Sequence, residues 1–264
     1  MNVPTLTRRQ SLRSIKLNIS TEPNAGLWLD KYITLQDKDQ KEARRDHIRD
    51  VGNIPIFDDY NAVYERWEKV IAAYQDSGYA VLSGKAVVGG RLLLGTGSES
   101  VLETAITLHR TYGAPYIPGS ALKGLTASFA RLHCGSDWTK TSHNYKTVFG
   151  NTAESGCVVF FDALYVAQAG AARNPLKPDV LTPHHGDYYM GKKDGDGNLL
   201  PPADWDDPKP VHFLSATGNY LVAIAASAGG DEWIKAVWEI LGTALAEFGV
   251  GAKTSSGYGR LSLS

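Results

Sequence analysis

The residues of this chain best suited to chemistry lie in a glycine-rich run near the C-terminus, Phe248-Gly-Val-Gly-Ala-Lys-Thr-Ser-Ser-Gly-Tyr-Gly-Arg-Leu261. Gly249, Gly251, Gly257 and Gly259 give a backbone that another chain can approach closely and whose N–H groups can turn toward phosphate. Lys253 and Arg260 add positive charge, and Thr254, Ser255 and Ser256 add hydroxyls. Tyr258 offers a ring on which a base can stack. A Walker A loop is the obvious competitor, because Lys253-Thr254 resembles its end. However, Ala252 stands where that motif needs glycine and Glu247 where its first glycine belongs, and the run leads from helix into strand rather than the reverse. A glycine-rich turn without a ligand is the remaining alternative.

A second candidate is Pro115-Tyr-Ile-Pro-Gly-Ser-Ala-Leu-Lys-Gly124. Pro118 and Gly119 bring the chain sharply into a helix, with Ser120 as its expected N-cap and Lys123 on the first turn. The unpaired N–H groups of a helix start favour an anion, although most such starts are only structural. A third is His184-His185 with Asp187, Tyr188 and Tyr189. Adjacent histidines near a carboxylate suggest a metal site or a general base. Neighbours in an extended chain point apart, so the pair makes a poor chelate, and contact with a partner or internal hydrogen bonding is expected instead. Asp194-Gly-Asp-Gly-Asn198 opens like a calcium loop but has Leu199 at the glycine position and Trp205 at the closing glutamate position, so it reads as a hydrophilic turn. Gly95-Thr-Gly-Ser-Glu-Ser100 lacks the third glycine of a dinucleotide fingerprint and precedes strand-like sequence. Neither a metal nor a cofactor is expected.

These segments need a scaffold, and composition allows one. With 264 residues, 43% hydrophobic and 21% charged, the chain can bury one large core or two small ones. No apolar run approaches the roughly 20 residues that span a bilayer, and the N-terminus lacks a signal-peptide core, so a reducing cytoplasm and no membrane partner are expected. Cys134 and Cys157 are too few to staple such a fold, and no Cys-x-x-Cys suggests zinc. The net charge of −1 argues against a histone-like binder, but charge is unevenly placed: Arg8, Arg9, Arg13 and Lys16 stand in an acid-free start, while 187–207 holds six aspartates.

The first twenty residues show no periodicity and read as an arm ordered by a partner. Gly26 to Val51 reads as a helix with a solvated end. Tyr60 to Asp76 reads as a helix with Val63, Trp67, Val70, Ile71 and Tyr74 inward and Gly78 as its stop. Strand-like sequence follows in Ala80–Leu82 and Ala86–Val88, interrupted by Gly84, Gly89 and Gly90. A second strand is expected over Val101–Leu108, a helix over Ser120–His133 and a buried strand over Val158–Val166. Residues 167–212 read as a long insertion. Strand Tyr220–Ala226, helix Asp231–Phe248 and strand Tyr258–Leu263 complete the chain. This order is close to an α+β ferredoxin-like or RRM-like domain, with 1–78 as N-terminal arm and helices and 79–264 as the main domain.

The pairing of Tyr116-Ile-Pro-Gly-Ser-Ala-Leu-Lys-Gly124 with Gly249-Val-Gly-Ala-Lys-Thr-Ser-Ser-Gly-Tyr-Gly-Arg260 resembles the RAMP superfamily of CRISPR RNA-binding proteins. Leu181-Thr-Pro-His-His-Gly-Asp-Tyr-Tyr189, then Asp204-Trp205 and Pro208-Lys-Pro-Val-His-Phe213, is similar to the sixth-subunit family of type III-B Cmr complexes. The resemblance spans roughly residues 80–264. It implies an RRM-like core, other Cmr subunits as partners, and contact with guide-RNA phosphates near the guide's 3′ end, with target RNA as a further partner. It makes Gly119, Ser120, Lys123, Gly124, Gly249, Gly251, Lys253, Thr254, Ser255, Ser256, Tyr258 and Arg260 the candidate RNA contacts. His184, His185, Tyr188, Tyr189, Arg8 and Arg9 become candidates for RNA or subunit contact. It also implies a non-catalytic role, with a guide-processing endoribonuclease using His184 or His185, or a purely protein-binding cap, as the alternatives.

Overall fold

The computed structural model describes residues 12, 14–33, 41–167, 173–206, 208, 210–227 and 229–264; Arg8, Arg9 and Arg13 lie outside them. The chain runs through α1 (Ala25–Lys31), α2 (Lys41–Gly52), α3 (Asp59–Asp76), β1 (Ala80–Val88), β2 (Tyr116–Ile117), α4 (Gly119–His133), α5 (His143–Phe149), β3 (Val158–Phe160) and β4 (Ala163–Tyr165). It continues through β5 (Leu176–Leu181), α6 (Gly186–Tyr189), β6 (Val211–Ala216), β7 (Asn219–Ala226), α7 (Asp231–Glu247) and β8 (Leu261–Leu263). The architecture is α+β, with an antiparallel sheet in the order β2-β4-β7-β1-β8 and β3 also paired to β7.

The alternation of β7 explains the layers. Tyr220, Val222, Ile224 and Ala226 point into the main core, where Leu122 and Ala130 of α4 and Val237, Leu241 and Leu245 of α7 join them. Leu221, Ala223 and Ala225 point to the other face, where Ile71 of α3 and Phe161 close a smaller cluster. Tyr74 and Trp67 meet Phe161 edge-on there, with ring centroids 4.9 and 6.1 Å apart. Among the described residues, α3 therefore packs on the back of the sheet, while α4 and α7 pack on the front. Val70 stays 39% exposed, and Val63 is only partly buried, so part of the apolar stripe read as inward on α3 does not enter the core.

Several expectations are corrected. Gly84 does not interrupt a strand: β1 is continuous, and Gly84 is where a Cβ would strike the Ser264 carbonyl. Val101–Leu108 forms no strand, keeping only an isolated bridge from Leu108 to Pro115. Its buried residues, Leu102 and Ala105, are three apart, which is packing under a loop rather than a pleat. Val158–Val166 breaks into β3 and β4 around Phe161 and Asp162. The expected insertion, 167–212, holds β5, α6 and only the first residues of β6, which pairs with β5 in a two-stranded sheet against which α2 packs. At Asp194, Oδ1 accepts the N–H groups of Asp196 and Asn198, which makes a tight polar turn. Cys134 and Cys157 are free and only partly buried, and burial pushes both thiols up.

Candidate nucleic-acid interface

The glycine-rich run leaves α7 in the left-handed region at Gly249, whose N–H donates to Ala244 O at 3.0 Å. It is then stitched to the segment after β1: Ala252 N–H donates to Leu93 O at 2.8 Å, and Gly259 N–H to Arg91 O at 2.7 Å. Glycine is required here by the protein's own main chain, since a Cβ at Gly251 would meet Leu93 O and one at Gly259 would meet Val250 O. The expectation that these glycines admit another chain therefore applies only to Gly257, which has open space around it.

The tip is different in character. Lys253 is left-handed (φ 56°), a single 3-10 turn spans Thr254–Ser256, and Gly257 returns at φ 88°. Lys253, Ser255, Ser256 and Gly257 are exposed. The N–H groups of Lys253, Thr254 and Ser255 form no hydrogen bond with any described residue. Successive free donors flanking a left-handed residue make a concavity that suits an anion.

Tyr258 and Arg260 are both engaged inward. Tyr258 Oη donates to Asp179 Oδ2 at 2.9 Å, and Ser215 Oγ donates to the same oxygen at 3.3 Å. Burial, followed by this hydrogen bond, pushes the Tyr258 hydroxyl up to about 12. The loop is thereby tied to both strands of the β5–β6 sheet, and the tyrosine ring is held beside Phe213 (6.3 Å). Arg260 Nη1 donates to Ala246 O at 3.2 Å, at the carbonyl end of α7. Arg91, which sequence reasoning missed, acts electrostatically on Tyr258, and its buried Nη1 has no partner among the described residues. Its only sequence signal is a charge set directly before Leu92-Leu93-Leu94.

The start of α4 is also partly occupied. Pro118, not Ser120, is the N-cap, and Gly119 N–H donates to Asp162 Oδ1 at 2.7 Å. An internal carboxylate thus takes the first free donor of the helix. Ser120 and Gly124 are exposed and Lys123 half-exposed. The two candidate segments do not meet directly. The root of the glycine loop, Phe248, packs on Phe129 and His133 near the far end of α4, with centroids 5.0 Å apart in each case. Ten residues of helix, about 15 Å, separate Gly119 from Phe129. The α4 surface between them carries Ser120, Gly124, Ser128 and Arg131, none of which is buried.

In the β5–β6 connection, His185 Nδ1 lies 2.9 Å from Asp206 Oδ2, and that bond is the main cause holding the Asp206 carboxyl below its usual range. His184 is exposed, as are Tyr188 (45%), Tyr189 (76%), Met190 (63%) and Trp205 (89%). Among the described residues no group of three or more His, Cys, Asp and Glu is placed to hold a metal ion, and no helix is long and apolar enough to cross a membrane.

With this geometry in view, the comparisons with known proteins are specific. The RAMP superfamily matches residues 86–262. The CRISPR system Cmr subunit Cmr6 of Pyrococcus furiosus is 32% identical over 251 residues, covering 75% of this chain and 73% of the relative. Cmr6 of Saccharolobus solfataricus is 24% identical over 189 residues, covering 70% of this chain and 59% of the relative. A chain of the type III-B Cmr-beta complex bound to cognate target RNA, seen by cryo-electron microscopy, matches with a TM-score of 0.66 and 23% identity over 86% of this chain and 74% of that one, a likeness of fold. The chain belongs to the RAMP superfamily and, within it, to the family of the CRISPR Cmr subunit Cmr6.

Proposed function

We propose that this chain is a non-catalytic subunit of a cytoplasmic type III-B CRISPR effector complex, where it holds the backbone of the guide RNA near the guide's 3′ end and abuts other Cmr subunits. The observation that carries this reading is the tip of the glycine loop, where three successive free N–H groups lie beneath exposed Lys253, Ser255 and Ser256. A site of main-chain donors and one ammonium reads phosphate and ignores base identity, as a holder of variable guides must. The α4 surface from Ser120 and Lys123 to Arg131 extends the path, and about 15 Å of helix corresponds to four or five stacked nucleotides. The strand order β8-β1-β7-β4 with α4 and α7 on one face supports a ferredoxin-like plan for 79–264, with 1–78 as an N-terminal extension. The exposed tip of the β5–β6 connection, around Tyr189 and Trp205, is available to another component of the assembly, target RNA included.

Binding of single-stranded RNA across a salt titration tests the reading. Lys253→Glu is expected to weaken binding roughly tenfold at 0.1 M salt and to lower the slope of log K against log salt by about one. Unchanged affinity and slope in both Lys253→Glu and Lys123→Ala would remove this surface from the RNA path. Discrete cleavage of a repeat-containing precursor, lost in His185→Ala, would instead favour the endoribonuclease.

A further inference from the structure

A cavity of about 250 Å³ opens between α3 and the loop that leads into β2, lined by Val63, Arg66, Trp67, Val70, His109 and Tyr112. We propose that this cavity seats one unpaired nucleobase of the bound RNA, an inference that rests on the RNA-holding reading and adds a subsite to it. Its volume lies just below the range of sites for drug-sized ligands, which suits a single ring system rather than a whole cofactor. The lining is two aromatic rings, two aliphatic side chains, a guanidinium and an imidazole, with no carboxylate. That combination stacks on a π-face and tolerates the adjoining phosphate.

The walls are fixed in advance. Trp67 Nε1–H donates to Asp162 O at 3.1 Å, so the indole donor is satisfied and the ring is held in place. His109 is braced between Tyr112 (5.2 Å, tilted 43°) and Tyr116 (6.4 Å, 67°). Arg66 is exposed and forms no ion pair with a described residue. Val70 is apolar and exposed on a face that the core does not use. Asp162 joins the cavity to the proposed backbone path, because its carbonyl holds Trp67 while its carboxylate accepts the Gly119 N–H at the start of α4. Trp67 and the residue before Ser120 are thus both bonded to Asp162, which sets the cavity wall near the start of α4. Stacking there is indifferent to sequence, which a guide holder requires.

The full chain, titrated with a fluorescent ten-nucleotide oligoadenylate and with an oligomer of the same length carrying abasic riboses, tests this directly. The wild type is expected to bind the base-bearing strand about tenfold or more tightly, at equal salt slope. In Arg66→Ala and Val70→Ser, both exposed positions, the ratio should fall below about twofold while melting temperatures hold. Equal wild-type affinity for the two strands overturns the cavity and leaves the phosphate reading standing. A ratio that survives in both variants places the stacking elsewhere and also overturns it. Binding to neither strand removes the RNA-holding reading and the cavity together.

Discussion

Gly257 and Gly259 stand two residues apart in the same left-handed region, at φ 88° and 72°, yet they answer to different neighbours. Around Gly257 there is open space, while at Gly259 a Cβ would lie on the Val250 carbonyl. Gly257→Ala is therefore expected to cost only the left-handed penalty, about 1–2 kcal/mol. Gly259→Ala adds a backbone overlap with Val250, whose N–H donates to Gly259 O at 2.8 Å, and about 3 kcal/mol or more is expected. Thermal melts of the two variants check this, and equal losses would contradict the packing described for the loop. The sequence made the density of glycines visible but not what they approach, because Arg91 and Leu93 lie some 160 positions earlier in the chain. For the same reason Tyr258 looked like a free stacking platform, since its partner Asp179 comes from a segment with little periodicity.

At the scale of elements, α3, α4 and α7 were legible because each buries one face of a 3.6-residue repeat. The short α5 was not, although Ser142 caps it by accepting the Tyr145 N–H and Gly150 ends it at φ 77°. The hairpin of β5 and β6 escaped notice because its two strands are separated by a 29-residue polar connection, too long for a turn signal. His212 on β6 gives this hairpin a pH signature. Burial, with Arg45 as a second cause, lowers its pKa below 6.5. The neutral form is then favoured in the folded state, so this contribution is complete above about pH 6.5 and is lost as pH falls toward the lowered value. Asp206 works in a lower window, its contribution being full above 3.8 and lost as pH falls through its own lowered value. Melting temperature should therefore decline as pH falls below about 6.5 in the wild type, and His212→Gln should flatten that decline. A decline of the same size in the variant would assign it to other groups.

Across the whole molecule, one sheet face carries α4 and α7 while α3 closes the other. A net charge of −1 says nothing of how charge is placed, because the six aspartates of 187–207 offset cations elsewhere in the chain. Charge counting was thus silent on family, whereas the two glycine-bearing motifs pointed to it. The account stands most directly on where the guide RNA runs in the assembled complex. Photocrosslinking from 4-thiouridine placed along the guide, with the attached peptides identified by mass spectrometry, measures that. The expected result is attachment from the 3′ portion of the guide to residues 249–260, with a second set on the first two turns of α4. Crosslinks confined to other surfaces of this chain, or to other subunits at every guide position, would contradict it.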